Sequence, residues 1–165
     1  MVGMNLVHLI ESHSEELANG LVERLLASER TSDFRNIPPD KLRLAAAELY
    51  RNLGEWLLQK TEAETAERFR FVGALRAAEG IRLHQFVWAL TISRNHLWRF
   101  LQRHGFADTI VQLYGELELI QMLNQFFDRV VYYGAEGYEQ AIAEGRFGKS
   151  VPQPAEAERL PFLAV

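Results

Sequence analysis

Two histidines of this sequence fall on helix faces that are otherwise apolar, where an imidazole could do chemistry. His13 lies a helical step from Ile10 and from Leu17, and His96 lies one turn before Phe100. A neutral imidazole in such a place could be an axial ligand of haem iron. The alternative is a structural histidine, half-buried and hydrogen-bonded to a backbone carbonyl. Both histidines are therefore candidate contacts for a ligand or a partner.

Arg94 falls on the apolar stripe of a predicted helix, one turn after Leu90 and one turn before Trp98. Burial of a guanidinium costs free energy unless the charge is paired, so we expect a carboxylate from a neighbouring helix. Three glutamates are candidates for this partner: Glu48, Glu79 and Glu118. The functional alternative is that Arg94, with Trp98 beside it, contacts an anion or a protein partner.

Compact catalytic motifs are missing from the sequence. It contains no cysteine, no Glu-x-x-His pair, no His-Glu-x-x-His, no glycine-rich phosphate loop and no Gly-x-Ser-x-Gly. We therefore expect no catalytic residue, no metal site and no cofactor, and a protein that is not an enzyme. A helical enzyme with a site built from scattered carboxylates is the alternative, which a pocket lined by carboxylates of raised pKa would favour.

Composition indicates a folded domain with no affinity for nucleic acid or membranes. Of 165 residues, 48% are hydrophobic and 24% are charged, which is typical of a globular protein. The net charge is −4 and the 18 basic residues are scattered, so a surface that follows phosphates is not expected. Neither a signal peptide nor an apolar stretch long enough to span a bilayer is visible. The expected location is the cytoplasm.

Hydrophobic periodicity predicts an all-α, single-domain bundle of about five helices. The predicted helices cover 5–27, 40–59, 61–80, 83–103 and 108–144. Thr61 and Glu64 form a capping box at the start of the third. Residues 28–39 are expected to be a loop, and the proline-containing residues 146–165 an extended tail that follows a domain over residues 1–145.

The last predicted helix has a seven-residue apolar repeat. One seam position holds Ile110, Leu117, Asn124, Val131 and Tyr138, and the other holds Leu113, Ile120, Phe127, Gly134 and Ala141. A continuous helix over this segment would be roughly 55 Å long, against roughly 30 Å for the others. The alternative is a kink or break at Gly134 and Gly137, with the last turns folded back over the bundle.

This length predicts a homodimer. The part of the helix that the bundle does not cover would expose Phe127, Val131 and Tyr138 on one stripe, which a second copy would bury. Asn124 would fix the register of the paired helices, as polar seam residues do in coiled coils. The alternative for Asn124 is a position facing a polar gap inside its own domain.

Two stretches resemble a known family. The first is Ala77-Ala-Glu-Gly-Ile-Arg-Leu-His-Gln-Phe-Val-Trp-Ala-Leu, followed by Arg94 and Leu97-Trp98. The second is Leu9-Ile-Glu-Ser-His, with Leu17-Ala and Leu21-Val-Glu-Arg-Leu. Both are similar to the N-terminal domain of RsbRD-type co-antagonists, stressosome relatives that regulate an alternative sigma factor pathway. The resemblance covers roughly residues 5–135.

The resemblance implies a helical sensory or regulatory module that contacts a protein partner of a signalling pathway and has a possible small ligand. Related domains are distantly globin-like without haem, dimerise, and lead through a long C-terminal helix into an output domain. No such output domain follows in this sequence, so the phosphorylated Ser/Thr of the family's output module cannot be transferred. A globin-like protein that binds haem or another cofactor remains the alternative.

Overall fold

Seven α-helices and one 3-10 helix make up residues 2–104 and 110–145, which are the residues that the computed structural model describes. The α-helices are α1 (Val2–Ser12), α2 (Ser14–Ala27), α3 (Pro39–Arg51), α4 (Leu53–Leu58), α5 (Glu62–Ala78), α6 (Leu83–His104) and α7 (Ile110–Ala143). No strand occurs in these two ranges, so the predicted all-α fold with a long last helix is confirmed. The expected helix start at Asp108 and the tail 146–165 lie outside the described residues.

The first two predicted helices are each divided in two, at a polar residue whose backbone leaves the helical conformation. His13, between α1 and α2, has φ −107° and ψ 21°, and its Nδ1 is hydrogen-bonded to the Leu9 carbonyl at 2.8 Å. Asn52, between α3 and α4, has φ −109° and ψ 21°, and its Nδ2 donates to the Glu48 carbonyl at 2.9 Å. Such local bonds compete with the helical pattern. The apolar periodicity runs through both breaks and therefore did not indicate them.

These two breaks are joined to each other by one carboxylate. Glu11, near the end of α1, accepts a hydrogen bond of 2.9 Å from the backbone N–H of Gly54 in the first turn of α4. The N–H groups of a first helical turn have no partner within the helix, so the carboxylate satisfies one of them. A Cβ atom at Gly54 would lie 2.7 Å from Glu11 Oε1, so a larger residue there would displace the carboxylate.

The predicted loop over 28–39 contains the 3-10 helix Glu29–Asn36, which is fastened to the start of α6. Asp33 accepts hydrogen bonds from the backbone N–H of Arg82 at 3.1 Å and from its guanidinium at 2.9 Å. The side-chain bond from Arg82 is the main reason that the pKa of Asp33 lies below its ordinary value. In return, Gln85 accepts from the backbone N–H of Asp33 at 2.7 Å.

Helices α5 and α7 cross with their backbones in direct contact. A Cβ atom at Gly73 would lie 1.9 Å from the carbonyl oxygen of Gly134, and one at Gly137 would lie 2.0 Å from that of Arg70. Because a side chain cannot fit at either place, glycine is required for the helices to approach so closely. The helix α7 is continuous over Ile110–Ala143, so the alternative of a break at Gly134 and Gly137 is wrong. These glycines are packing positions.

The buried half of α7 is its C-terminal half. Phe127 is 2% exposed and Tyr138 is 7% exposed, and the Tyr138 hydroxyl donates to the carbonyl of Ile81 at 2.6 Å. Val131 packs partly buried against the same core. The predicted exposed stripe of Phe127, Val131 and Tyr138 is therefore wrong, because α5 covers this part of α7.

The part of α7 that extends beyond the bundle is its N-terminal end. Trp98 contacts Asn124, and Phe86 lies against Gly134, so α6 and α7 run antiparallel. His104, the last residue of α6, lies six positions after Trp98. It therefore lies opposite Glu118, which is six positions before Asn124. Residues 110–117 extend past that point by about two turns.

One guanidinium is fully buried, and it belongs to Arg76 on α5, which is 1% exposed. Its Nη1 donates to Glu79, and the group lies over the ring of Phe34, with 5.7 Å to the ring centre. Lys41 lies 3.6 Å from the other oxygen of Glu79. Burial lowers the pKa of Arg76, and the Glu79 charge opposes this shift. The buried ion pair expected at Arg94 is thus formed by a different arginine.

We predict that Glu79→Ala lowers the free energy of unfolding by about 3 kcal/mol or more, because Arg76 would be left charged and buried. Arg76→Met should cost less, since an apolar side chain of similar length removes the charge together with its need for a partner. Urea denaturation measures both. Glu29→Ala is the control, because its pair with Arg35 is solvent-exposed and should contribute less than about 1 kcal/mol. Equal losses for Glu79→Ala and Glu29→Ala would contradict the prediction.

Gly73→Ala should destabilise the protein by about 3 kcal/mol or more, because the new Cβ meets backbone that cannot rotate away. Helix propensity alone predicts the opposite sign, a gain of up to about 1 kcal/mol. Gly134→Ala is the comparison, since its Cβ would meet only the Phe86 ring, at 3.0 Å, and should cost less. Chemical denaturation of the two variants shows which of them loses more stability. A stabilised Gly73→Ala protein would refute the close crossing.

Candidate functional site

The groove between α6 and α7 brings three of the predicted site residues together. Arg94, Trp98 and Asn124 line it, with Asn95, Arg99, Gln102 and Asp128 around them. The space has a volume of about 640 Å³, which is within the range of small-molecule sites. Trp98 Nε1 donates to Asn124 Oδ1 at 3.4 Å. Asn124 thus faces a polar gap in its own domain, as its alternative interpretation proposed.

Arg94 is half-buried at the edge of this groove. Of the three glutamates proposed as partners, Glu79 pairs with Arg76, Glu48 pairs with Arg51, and Glu118 is exposed. Among the residues that the structure describes, no carboxylate lies within ion-pairing distance of Arg94, so the predicted pair is wrong. Trp98 is half-buried as well, and Trp56 is buried.

A second groove lies on the other side of α6, against α2, with a volume of about 790 Å³. His96 is buried in its wall, and Nε2 of the imidazole donates to the carbonyl of Leu17 at 3.0 Å. Gly20 makes room for the ring, because a Cβ atom there would lie 2.8 Å from Cε1 of His96. The other ring nitrogen, Nδ1, is buried without a hydrogen-bond partner within the described ranges.

His13 has a similar structural role at the rim of this second groove. Its ring packs against Phe100 and His104, with ring centres 5.5 Å and 5.9 Å away, and its Nδ1 is bound to the Leu9 carbonyl. Both candidate iron ligands, His13 and His96, are therefore hydrogen-bonded to backbone carbonyls. This arrangement supports the structural interpretation of the two residues and does not favour the haem alternative.

Three arginines that sequence reasoning did not select lie beside these grooves: Arg24 on α2, and Arg99 and Arg103 on α6. Arg99 and Arg103 are one turn apart, and Arg103 Nε donates to the backbone oxygen of Arg99 at 3.3 Å. Burial lowers the pKa of Arg24, and the charges of Arg99 and Arg103 lower it further. The spacing of Arg99 and Arg103 was visible in the sequence, but the approach of α2 was not.

The N-terminal turns of α7 carry a cluster of exposed apolar side chains, here called the apolar tip. Its members are Ile110, Val111, Leu113, Tyr114 and Leu117, which are 47–73% exposed. Large apolar side chains gathered on one soluble surface usually mark an interaction site. The apolar tip thus takes the place of the stripe that was expected further along the same helix.

Within residues 2–104 and 110–145, no three His, Asp or Glu side chains are grouped so that they could hold a metal ion. In the same ranges, none of the helices combines the length and the apolar character needed to cross a bilayer.

We predict that stability falls as the pH drops below about 6.5, because His96 resists protonation in the folded state. Burial, and then the Arg24 charge, lower the pKa of His96 below its ordinary value of 6.5, and Arg99 and Arg103 act in the same direction. The unfolded state therefore takes up a proton that the folded state does not. The free energy of unfolding should fall with pH in that range, by at most about 1.4 kcal/mol per pH unit.

His96→Gln tests this, because a glutamine amide can still donate to Leu17 but has no proton to gain. Urea denaturation between pH 7.5 and 5.5, values chosen to span about one unit on each side of an ordinary histidine pKa, should show a flatter curve for His96→Gln. His84→Gln, at an exposed position, should keep the wild-type slope. If His96→Gln and the wild type lose stability in parallel, the prediction fails.

Comparison with known proteins gives one family. Residues 15–146 match the RsbT co-antagonist protein rsbRD N-terminal domain, which is most of the chain and includes α2 to α7, both grooves and the apolar tip. No curated protein and no solved structure matches the chain. The match agrees with the resemblance of the stretches 9–25 and 77–98. This chain therefore belongs to the family of rsbRD N-terminal domains.

Proposed function

We propose that this protein is a non-enzymatic regulatory module of stress signalling that acts in the cytoplasm through protein contact, as a homodimer. Its family supports the regulatory role, since the matching domain is that of an RsbT co-antagonist. The apolar tip of α7 is the observation that supports the protein contact. The proposal includes a small ligand, for which the groove between α6 and α7 is the candidate site.

The apolar tip suits a second copy of the same helix. Ile110, Leu113 and Leu117 occupy successive positions of the two heptad seams, so they share one face of α7. The same seam positions further along α7, Phe127 and Tyr138, are buried inside the domain. The seam is therefore buried inside the domain toward the C-terminal end of α7 and exposed at the N-terminal end.

The exposure of the tip suits such pairing. Residues 110–117 extend about two turns beyond α6, and their large apolar side chains are 47–73% exposed, which leaves this face of α7 open to a neighbouring helix. A two-fold arrangement closes the contact, because each copy buries the tip of the other. In the proposed dimer, two regulatory domains face a signalling partner together, and α7 connects the dimer contact with the groove residues Asn124 and Asp128.

The test is the association of a variant with a charged tip. Leu117→Glu should abolish self-association, because a carboxylate would be buried in the contact without a partner. Leu44→Glu is the matched control, since Leu44 is 66% exposed on α3 and lies outside the tip. Sedimentation equilibrium should show a dimer for the wild type and for Leu44→Glu, and a monomer for Leu117→Glu.

Circular dichroism should show the same helix content for all three proteins, because Leu117 is exposed in the single chain. A wild-type protein that stays monomeric at tens of micromolar would overturn the homodimer. Equal association of the Leu117→Glu and wild-type proteins would show that the tip is not part of the dimer contact.

A further inference from the structure

Most of the described lysines and arginines of this acidic chain are paired with carboxylates, and four exceptions border the two grooves beside α6. Nine of the fifteen that the structure describes form ion pairs. Arg30 and Arg68 lie over tryptophan rings. The remaining four are Arg24, Arg94, Arg99 and Arg103, and within the described ranges none of them has a carboxylate at ion-pairing distance.

The four arginines are divided between the two sides of α6. Arg94 and Arg99 line the groove between α6 and α7, while Arg24 and Arg103 line the groove on the other side of the helix. Arg99 and Arg103 are one turn apart and both are close enough to Arg24 to perturb it. Glu15, Glu16 and Glu23 accompany Arg24 and Arg103 in their groove, whereas the described lining of the α6–α7 groove holds two arginines and Asp128. The excess of positive charge in the α6–α7 groove favours the binding of an anion there.

The wall of the α6–α7 groove adds neutral hydrogen-bonding groups to this charge. Asn95, Gln102 and Asn124 bring side-chain amides, and Trp98 gives the groove an aromatic surface. Asp128 lies on the α7 side and can accept a hydrogen bond from a hydroxyl or amino group. The groove therefore has cations on one wall and a carboxylate on the other, with a space between them.

We propose that the α6–α7 groove binds a small phosphorylated molecule, with its phosphate held by Arg94 and Arg99 and a hydroxyl or amino group turned toward Asp128. This inference names the ligand class for the ligand-binding part of the proposed function. Guanidinium groups bind phosphate through paired, charge-assisted hydrogen bonds, and a dianion offsets more of the mutual repulsion than a single carboxylate does. A volume of about 640 Å³ suits a small molecule.

The probes are inorganic phosphate and glycerol phosphate, followed through the indole N–H signals in nuclear magnetic resonance spectra at constant ionic strength. The signal of Trp98 should shift and saturate, with a dissociation constant on the order of 1 mM for inorganic phosphate. Glycerol phosphate should bind more tightly, because its hydroxyl groups can reach Asp128. Trp56 and Trp88 lie outside the groove, so their signals serve as internal references.

The double variant Arg94→Gln/Arg99→Gln should weaken phosphate binding at least about tenfold. Arg35→Gln/Arg43→Gln is the matched control, since it removes the same charge from ion pairs elsewhere on the surface. In Asp128→Ala, glycerol phosphate should lose its advantage over inorganic phosphate. Repeating the titration with Leu117→Glu separates this inference from the homodimer, because the groove is present in a single chain.

A Trp98 signal that drifts linearly without saturation would overturn the proposal, as would equal weakening in the two double variants. A phosphoserine peptide is the remaining probe. If it binds more tightly than glycerol phosphate, the groove serves a phosphorylated protein segment and the assignment to a small molecule is wrong.

Discussion

The backbones of α5 and α7 touch at Gly73, Gly134 and Gly137, and the positions of the other elements follow from this contact. Because the two helices meet without side chains between them, they run side by side, with Phe69 and Phe126 packed edge to face at 5.7 Å. The C-terminal half of α7 is thereby buried. Its N-terminal half lies against α6 and continues past it, which produces both the groove and the apolar tip.

Much of the fold could be predicted from periodicity, since helical class, the long last helix and the capping box at Thr61 and Glu64 are local properties of the chain. The breaks at His13 and Asn52 could not, because the apolar pattern continues unchanged through both of them. The role of Gly134 was misjudged for a related reason. A glycine in a helix weakens it in isolation, and only the neighbouring helix reveals what the missing side chain makes possible.

Three residues of the candidate site could be selected from the sequence, but their contacts could not be predicted. Arg94, Trp98 and Asn124 were selected as anomalies on two apolar seams, and the fold brings them to one groove. Their partners depend on helix packing, which the sequence does not contain, so the expected ion pair was assigned to Arg94 although Arg76 is the buried arginine. The exposed end of α7 was misplaced because length predicts that a helix overhangs, but not at which end.

The close contact of α5 and α7 at Gly134 lies near one end of α7 and would be the pivot of any tilt of that helix. From Gly134 to Ile110 the helix spans 24 residues, an arm of roughly 36 Å, so a tilt of about 5° at the pivot moves the tip by about 3 Å. The groove lies along this arm, at Asn124 and Asp128, between the pivot and the tip. Leu119, Leu123 and Phe126 lie on the same arm and are buried in the core, so a tilt that widened the groove would also have to move these side chains.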